Sequence, residues 1–484
     1  MSLLSKKIQR YLRGKFRSDF SAGLTVAMVV IPQSMAYAAI VGVNPIFGLF
    51  TAIIPTIIAA IFGSFPYLIT GPTNPTALVT ASVLLPYANR SDYFEFVVAL
   101  AIFSGAIHIL FGLLRLGFLS QYISNSVLVG FLTAAGILVI VNQVSNLLGL
   151  QLTRAGRVWG TIALIVSNIS HVNPYALIIG TLSIGIMLTL RSLNKRLPAA
   201  LITIVFASLL VFLTGWSGEQ NVRIVSDIGL PERINLGFHL PDIPTSEISS
   251  LALSGAAVAL FGFMETVSIA KSMSQMSGEP FNPSREMIGQ GLACFVGGFF
   301  QCMPSSGSPS RTVMNVVNGA KTRFAAIFSG LSVLIFLLLF SRLISFVPVP
   351  ALAAVVIISA AGLINIQLIK ITWQSHIKSL VVMVVTFLST LTLPLQYAIY
   401  LGILTTILIY LGEKRHVNLS YLVVDENGHY HELPMEKIKE QPSKIAVINI
   451  EGDLYFAAVE DLKNQIESIL ETDLQVLILS LIHI

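Results

Sequence analysis

Apolar residues run along this chain in long blocks separated by short polar breaks. A membrane-crossing helix needs about 20 apolar residues, within a range of roughly 17–25. That ruler divides the first half into spans near 21–39, 47–64, 72–86, 93–114, 123–149, 174–190 and 197–215. A polar stretch, 216–247, interrupts the pattern, and a second set follows near 249–270, 286–303, 309–319, 324–345, 350–366, 379–394 and 396–412. The third and tenth segments are too short to cross a bilayer. The pattern predicts an all-α polytopic membrane protein of seven plus seven segments, with 20–215 and 248–412 as two transmembrane repeats and 216–247 as an extracytoplasmic loop.

Beyond Gly412 the pattern changes. Residues 413–444 are polar and read as a linker, with a hairpin turn expected at Glu426-Asn427-Gly428. KIAVINIEGDLYFAA then alternates like a strand, VEDLKNQIESIL has the period of an amphipathic helix, and LQVLILSLIHI reads as a second strand. Strand, helix, strand is how an α/β domain opens. Residues 445–484 are too few to bury a core of their own, so they read as part of such a domain.

Composition narrows the class. Of 484 residues, 54% are hydrophobic and 11% charged, against about 25% charged in a soluble domain. No Asp, Glu, Lys or Arg occurs from Phe20 to Asn89. A water-soluble enzyme, a nucleic-acid binder and a secreted disulfide scaffold are excluded, and the two cysteines, Cys294 and Cys302, both lie in apolar sequence. The formal charge of +5 is spread over short basic clusters between apolar runs. These are orienting signals on cytoplasmic loops. Residues 1–19 hold Lys6, Lys7, Arg10, Arg13, Lys15 and Arg17, too charged for a signal peptide, and read as an amphipathic cytoplasmic helix. Lys and Arg counts place both termini in the cytoplasm, with Arg154 and Arg157 dissenting. The spacings of a metal cluster, a Walker loop and a catalytic triad are all missing, so neither an enzyme nor an ATP-driven pump is expected, and no cofactor or metal.

Candidate chemistry lies in the two short segments. The third follows Thr70-Gly71-Pro72-Thr73-Asn74-Pro75-Thr76, and the tenth follows Pro304-Ser305-Ser306-Gly307-Ser308-Pro309-Ser310-Arg311. Each has Gly, then Pro, then hydroxyl residues before an apolar helix, at corresponding places in the two halves. Paired half-helices of this kind mark the substrate site of secondary transporters. Their N-termini offer free N–H groups and partial positive charge, which favours a small anion. Arg311 adds a full charge. Upstream in the first helix of each half stands one polar residue, Gln33 and Glu265. An ionisable group within a span costs about 2.5–3.5 kcal/mol even on the lenient scale, so Glu265 marks a pathway or a partner. It reads either as a proton carrier or as one half of a salt bridge to Arg311 or Lys271. Tyr37, one turn after Gln33, can line the site, and His108 reads as a packing residue.

On these residues the chain resembles the SulP anion transporter family. The stretches that carry the resemblance are DFSAGLTVAMVVIPQSMAYA, PIFGLFTAIIP, ETVSIAKSMS with NPSREMIGQGLACFVGGFF, and SGSPSRTVMNVVNGAKTRFA. The resemblance implies a fourteen-span inverted repeat with core and gate domains, elevator-like movement, a homodimer and a C-terminal STAS domain. It implies a site of Gln33, Tyr37, Thr73, Ser310 and Arg311. Glu265 stands where proton-coupled members have a glutamate and the sodium-coupled bicarbonate branch an aspartate. Nucleobase permeases share the fold, and Arg311 counts against a nucleobase. Pro309 and Asn74-Pro75 depart from the family pattern, and the STAS likeness covers only 445–479, without the following Asp-Ser/Thr-Gly loop. The expectation is a proton-coupled sulfate symporter of a bacterial inner membrane. Its partners would be a small inorganic anion (sulfate, or else bicarbonate or chloride), a proton, the lipid bilayer and a second copy of itself, with no nucleic acid. Sodium-coupled bicarbonate symport, anion exchange and a passive anion channel are the alternatives.

Overall fold

A computed structural model describes residues 11–480 apart from 13, 122–123, 153–157, 195–196, 219, 229–235, 415–417, 425–429, 435–444, 452–457 and 471–474. The chain forms two compact units, Met1–Ile403 and Leu404–Ile484. The first half of the first unit contains α1 (Phe16–Val41), α2 (Pro45–Phe62), a two-residue strand β1 (Thr70–Gly71), α3 (Asn74–Val83) and α4 (Tyr93–Leu113). It continues through α5 (Asn125–Leu147), α6 (Val158–Ser167), α7 (Pro174–Leu193) and α8 (Ala199–Thr214). The second half repeats that order: α9 (Ile248–Ser277), α10 (Pro283–Gly298), β2 (Ser306–Gly307), α11 (Pro309–Val317) and α12 (Phe324–Ser345). It closes with α13 (Val349–Ala361), α14 (Ile366–Gln374), α15 (Ile377–Thr392) and α16 (Leu395–Lys414). Six of the described helices, α1, α2, α4, α5, α7 and α9, and the stretch Val349–Gln374 that joins α13 and α14 are long and apolar enough to cross a membrane by length and composition.

Packing follows the repeat. Helix α12 lies on α1 and α2 as α4 lies on α9 and α10. Helix α15 lies on α5 as α7 lies on α13, and α11 meets α1 as α3 meets α9. Contacts that exchange when the halves exchange are those of two-fold related repeats. With the seven spans per half expected from the sequence, an odd number, the second half begins on the opposite face, and the repeat is inverted. Two packed groups result: α1–α4 with α9–α12, and α5, α7 and α8 with α13 and α15.

Local chemistry explains where several helices start. Asn44, Asn173 and Asn282 each precede a proline and accept the N–H of a residue two or three positions on. Proline supplies the first-turn backbone angle and lacks the N–H that would go unpaired there. Asn74-Pro75 repeats this dipeptide, but the cap is shifted to Thr73, whose Oγ1 accepts the Thr76 N–H. The shift leaves the Asn74 amide for other use.

The structure departs from the length ruler in two places. Helices α6 and α14 were not expected, and they occupy equivalent positions in the halves. At 10 and 9 residues they are about 15 Å long, too short to register as spans. Each exposes a tryptophan, Trp159 and Trp373. The strands β1 and β2 were also invisible to hydrophobic periodicity, being two residues each.

The second unit is a four-stranded sheet with one helix. Its elements are β3 (Asn418–Val424), β4 (Tyr430–Pro434), β5 (Ile445–Glu451), α17 (Val459–Leu470) and β6 (Val476–Ser480). The strand order is β4-β3-β5-β6, antiparallel except for the last pair. Leu419, Tyr421, Ala446, Ile448, Ile450, Ala458 and Ile469 form its core. Part of 413–444, read as linker, therefore belongs to the sheet. Leu419, Tyr421 and Val423 alternate onto one face and pack with β5. The expected turn at 426–428 lies outside the described residues, as do Lys6, Lys7, Arg10, Arg13, Arg154 and Arg157.

Candidate functional site

β1 and β2 pair antiparallel, Thr70 with Gly307 and Gly71 with Ser306, and so bring the half-helices α3 and α11 together. Extended backbone at membrane depth needs every polar group satisfied, because lipid supplies no hydrogen bonds. Side chains do this here. Thr312 Oγ1 accepts the Ile69 N–H at 3.1 Å, and Thr56 Oγ1 donates to the Thr70 carbonyl at 2.6 Å. Thr266 Oγ1 accepts the Gly307 N–H at 2.9 Å, and Gln290 Nε2 donates to the Ser305 carbonyl at 2.7 Å. Asn315 Nδ2 donates to the Tyr67 carbonyl at 3.0 Å. The crossing is thereby held from both repeats.

Glu265 of α9 sits beside this crossing, 6% exposed. Its Oε2 accepts from Thr73 Oγ1 at 3.1 Å, Thr76 Oγ1 at 3.4 Å and Ser306 Oγ at 2.5 Å. The hydroxyls also meet one another: Thr73 and Thr76 at 3.0 Å, Thr73 and Ser306 at 2.9 Å, Thr76 and Ser306 at 2.8 Å. Four oxygens thus occupy the corners of a tetrahedron, two from the first repeat and two from the second. Its six edges share three hydroxyl protons, so not every edge is a hydrogen bond at once. With the carboxyl ionised, all three hydroxyls donate to it; with a proton on the carboxyl, one hydroxyl turns and accepts.

Two other buried acids show what is particular about this cluster. Asp19 accepts the N–H groups of Lys321 and Thr322, the Thr322 hydroxyl and the Tyr11 hydroxyl. Glu286 accepts the N–H groups of Ser64 and Phe65 and the Ser64 hydroxyl. Backbone N–H groups can only donate, which fits a partner that stays an acceptor. The hydroxyls around Glu265 can also turn, so they satisfy its carboxyl with or without a proton.

Arg311 lies in the first turn of α11, 1% exposed. Its Nη2 donates to the Pro72 carbonyl at 2.5 Å, reaching across to the break in the other repeat, while Nε is buried with no partner. Among the described residues no ion pair includes Glu265 or Arg311, so the salt-bridge alternative is not formed. A Cβ on Gly71 would stand 2.9 Å from Arg311 Nη1, so a larger residue there would displace the guanidinium. The α11 N-cap, Ser308, makes no side-chain cap hydrogen bond, which leaves the first turn without that partner.

The remaining expected residues divide. Gln33 and Tyr37 are buried one turn apart on α1, which packs against α3, α11 and α13, and Gln33 Oε1 has no partner. Thr73 is in the oxygen cluster. Ser310 is exposed and outside it. Sequence reasoning missed Thr76 and Ser306 as Glu265 partners, and Asn74, whose Oδ1 and Nδ2 are both buried and unpaired. Hydroxyls were visible in both motifs, but nothing in the sequence says which reach the carboxyl. His108 Nδ1 bonds the Ser104 carbonyl at 3.0 Å and packs against Gly262, in keeping with a packing residue.

A buried arginine with an unpaired N–H, orphaned amides at Gln33 and Asn74, and two half-helix N-termini stand between the two repeats, and their N–H groups are donors that suit an anion. The class these features define is a multi-pass membrane carrier of anions, not an enzyme. The chain belongs to the Sulfate permease family, which matches residues 16–386. Sulfate transporter 2.2 of Arabidopsis thaliana is 28% identical over 409 residues, covering 82% of this chain and 60% of that protein. Low affinity sulfate transporter 3 of Stylosanthes hamata is 30% identical over 382 residues, covering 74% of this chain and 58% of that protein. YvdB of Bacillus subtilis (strain 168) is 25% identical over 463 residues, covering 96% and 84%. The chain thus spans less than two thirds of the length of these two plant relatives. Among solved structures, murine Solute Carrier 26 family member A9 matches with a TM-score of 0.87 at 20% identity, covering 96% of this chain and 80% of that one. The transmembrane domain of the cyanobacterial bicarbonate transporter BicA matches with a TM-score of 0.70 at 22% identity, covering 81% and 97%. These likenesses show the fold. The sheet and helix of the second unit agree with the STAS domain expected after the spans.

Proposed function

We propose that the protein is a proton-coupled sulfate symporter of a bacterial inner membrane, with both termini in the cytoplasm and a homodimer as its working form. The observation that carries the coupling is the hydroxyl cage around Glu265. It joins a proton-exchangeable carboxyl to the caps of the half-helices that receive the anion. In this reading sulfate binds at the N-termini of α3 and α11, with Arg311 supplying charge, Thr73 a hydroxyl, Ser310 the rim, and Gln33 and Tyr37 the wall from α1. Glu265 takes a proton from outside, and its neutralisation lets the loaded site cross an apolar path. The group α1–α4 with α9–α12 moves as the carrier against the other group, as an elevator.

One observation favours a second reading. Three hydroxyls and a carboxylate oxygen are hard donors of the kind that hold sodium, and the BicA match gives bicarbonate as its anion. Uptake of radiolabelled sulfate into proteoliposomes separates the two. Accumulation driven by an imposed proton gradient and abolished by a protonophore supports the first. Accumulation that needs sodium and stops when choline replaces it supports the second, with bicarbonate then tested as substrate. Flux that only ever runs downhill would leave a passive channel.

A further inference from the structure

We propose a second anion site, in a cavity of about 330 Å³ at the opposite end of α3 from Glu265. The cavity is lined by the C-terminal ends of α1, α3 and α15, by α5 and α6, by the starts of α13 and α16, and by Arg223. Among the described residues no acidic one lines it. Arg223 is half-buried there, and its side chain takes part in no hydrogen bond or ion pair among the described residues. Its backbone carbonyl is fixed by the Val349 N–H at 2.9 Å, which anchors the residue at the cavity wall.

Neighbouring amides are oriented in the same sense. Asn142 Oδ1 accepts the Thr161 hydroxyl at 3.1 Å, and Gln143 Oε1 accepts Asn146 Nδ2 at 3.0 Å. With both acceptors used, the Nδ2 of Asn142 and the Nε2 of Gln143 remain as donors, and both residues line the cavity. One cation and two amide donors, with no competing carboxylate, form a receptor for a small inorganic oxyanion. The C-terminal ends of α1, α3 and α15 oppose this, each with partial negative charge equivalent to about half a unit, while the starts of α13 and α16 carry the opposite sign; with the full charge of Arg223 the balance is positive.

In function this site captures the anion on the face of the membrane where α1 ends, before the anion reaches the half-helix N-termini. That role rests on the anion-transport reading; the binding itself does not. The test of binding uses an Ala81→Cys reporter at the cavity wall, Cys294 and Cys302 being buried. Anionic and cationic methanethiosulfonates are compared at low ionic strength. The anionic reagent is expected to react about tenfold faster relative to the cationic one, the ratio that a unit charge on the order of 6 Å from a thiol would give in water. Inorganic sulfate should slow it, Arg223→Gln should remove the preference, and Arg223→Lys should keep it. Equal rates for the two reagents, or no protection by sulfate, would overturn the site.

Transport gives the second arm. With uptake measured from each face, Arg223→Gln should raise KM about threefold from one face only, leave kcat unchanged, and lose its effect at high ionic strength. A fall in kcat at constant KM would assign Arg223 a structural role instead. Sulfate protection of the reporter without any sulfate uptake would sink the symporter reading and leave this site standing.

Discussion

Glu265→Gln is the sharpest perturbation of the coupling. The amide keeps the shape of the carboxyl and one carbonyl acceptor, so Thr73, Thr76 and Ser306 can still donate to it. The change replaces charge-assisted hydrogen bonds by neutral ones, a difference of about 1 kcal/mol per bond. The variant should therefore fold and insert. What it loses is the ability to gain and release a proton. In the proposed symport the single carboxyl of the oxygen cluster carries one proton per cycle, and one pH unit supplies about 1.36 kcal/mol. With the membrane potential clamped at zero, wild-type protein should concentrate sulfate by at most about tenfold per pH unit. Glu265→Gln should hold that ratio at one while still exchanging labelled for unlabelled sulfate. The assay is steady-state sulfate accumulation in proteoliposomes at several imposed pH differences. Accumulation by the variant, or a wild-type ratio clearly above tenfold per unit, would refute the single-carboxyl reasoning.

Three further outcomes are expected. Arg311→Ala should weaken sulfate binding at every pH and leave the Pro72 carbonyl unpaired, costing about 1–3 kcal/mol of stability; unchanged affinity in a direct binding assay counts against the site. Asp19→Asn keeps a carbonyl for the N–H groups of Lys321 and Thr322 but replaces the oxygen that accepts the Thr322 and Tyr11 hydroxyls by an amide donor and removes the charge, so thermal stability should fall by about 1–3 kcal/mol with KM for sulfate unaltered. Gly48→Ala would drive a Cβ into the Ser34 carbonyl oxygen, forcing α1 and α2 apart, and overpacking of this kind costs about 1–3 kcal/mol or more. Little folded protein should be recovered, as judged by size-exclusion chromatography; a normal yield would mean that the close approach is not needed.

Much of the architecture is written in the sequence because it depends on local pattern and solvent. Runs of apolar residues name the spans, since a bilayer selects length and hydropathy one segment at a time. The two half-helices are legible from Gly71-Pro72 and Gly307-Ser308-Pro309, where backbone breaks have a residue-level cause. Arg311 and Glu265 stand out because an ionisable residue within a span is costly wherever its partner is. Helices α6 and α14 escaped, being shorter than the ruler; the hairpin expected about 426–428 has its two strands in β3 and β4, but the pairing of β3 with β5, later in the chain, has no local signal.

The site's wiring belongs to the tertiary structure alone. Thr73 and Glu265 are 192 residues apart, and they meet because β1 and β2 pair in one register. That register puts Ser306, not Ser310, against the carboxyl, and sends Arg311 to the Pro72 carbonyl rather than to Glu265. Shifting the pairing by one residue would turn a different set of hydroxyls toward α9, because successive strand side chains face opposite ways. Composition and periodicity carry no record of which register wins. It is decided by the fit of two repeats against each other, where every buried donor and acceptor at membrane depth must find its partner within the protein.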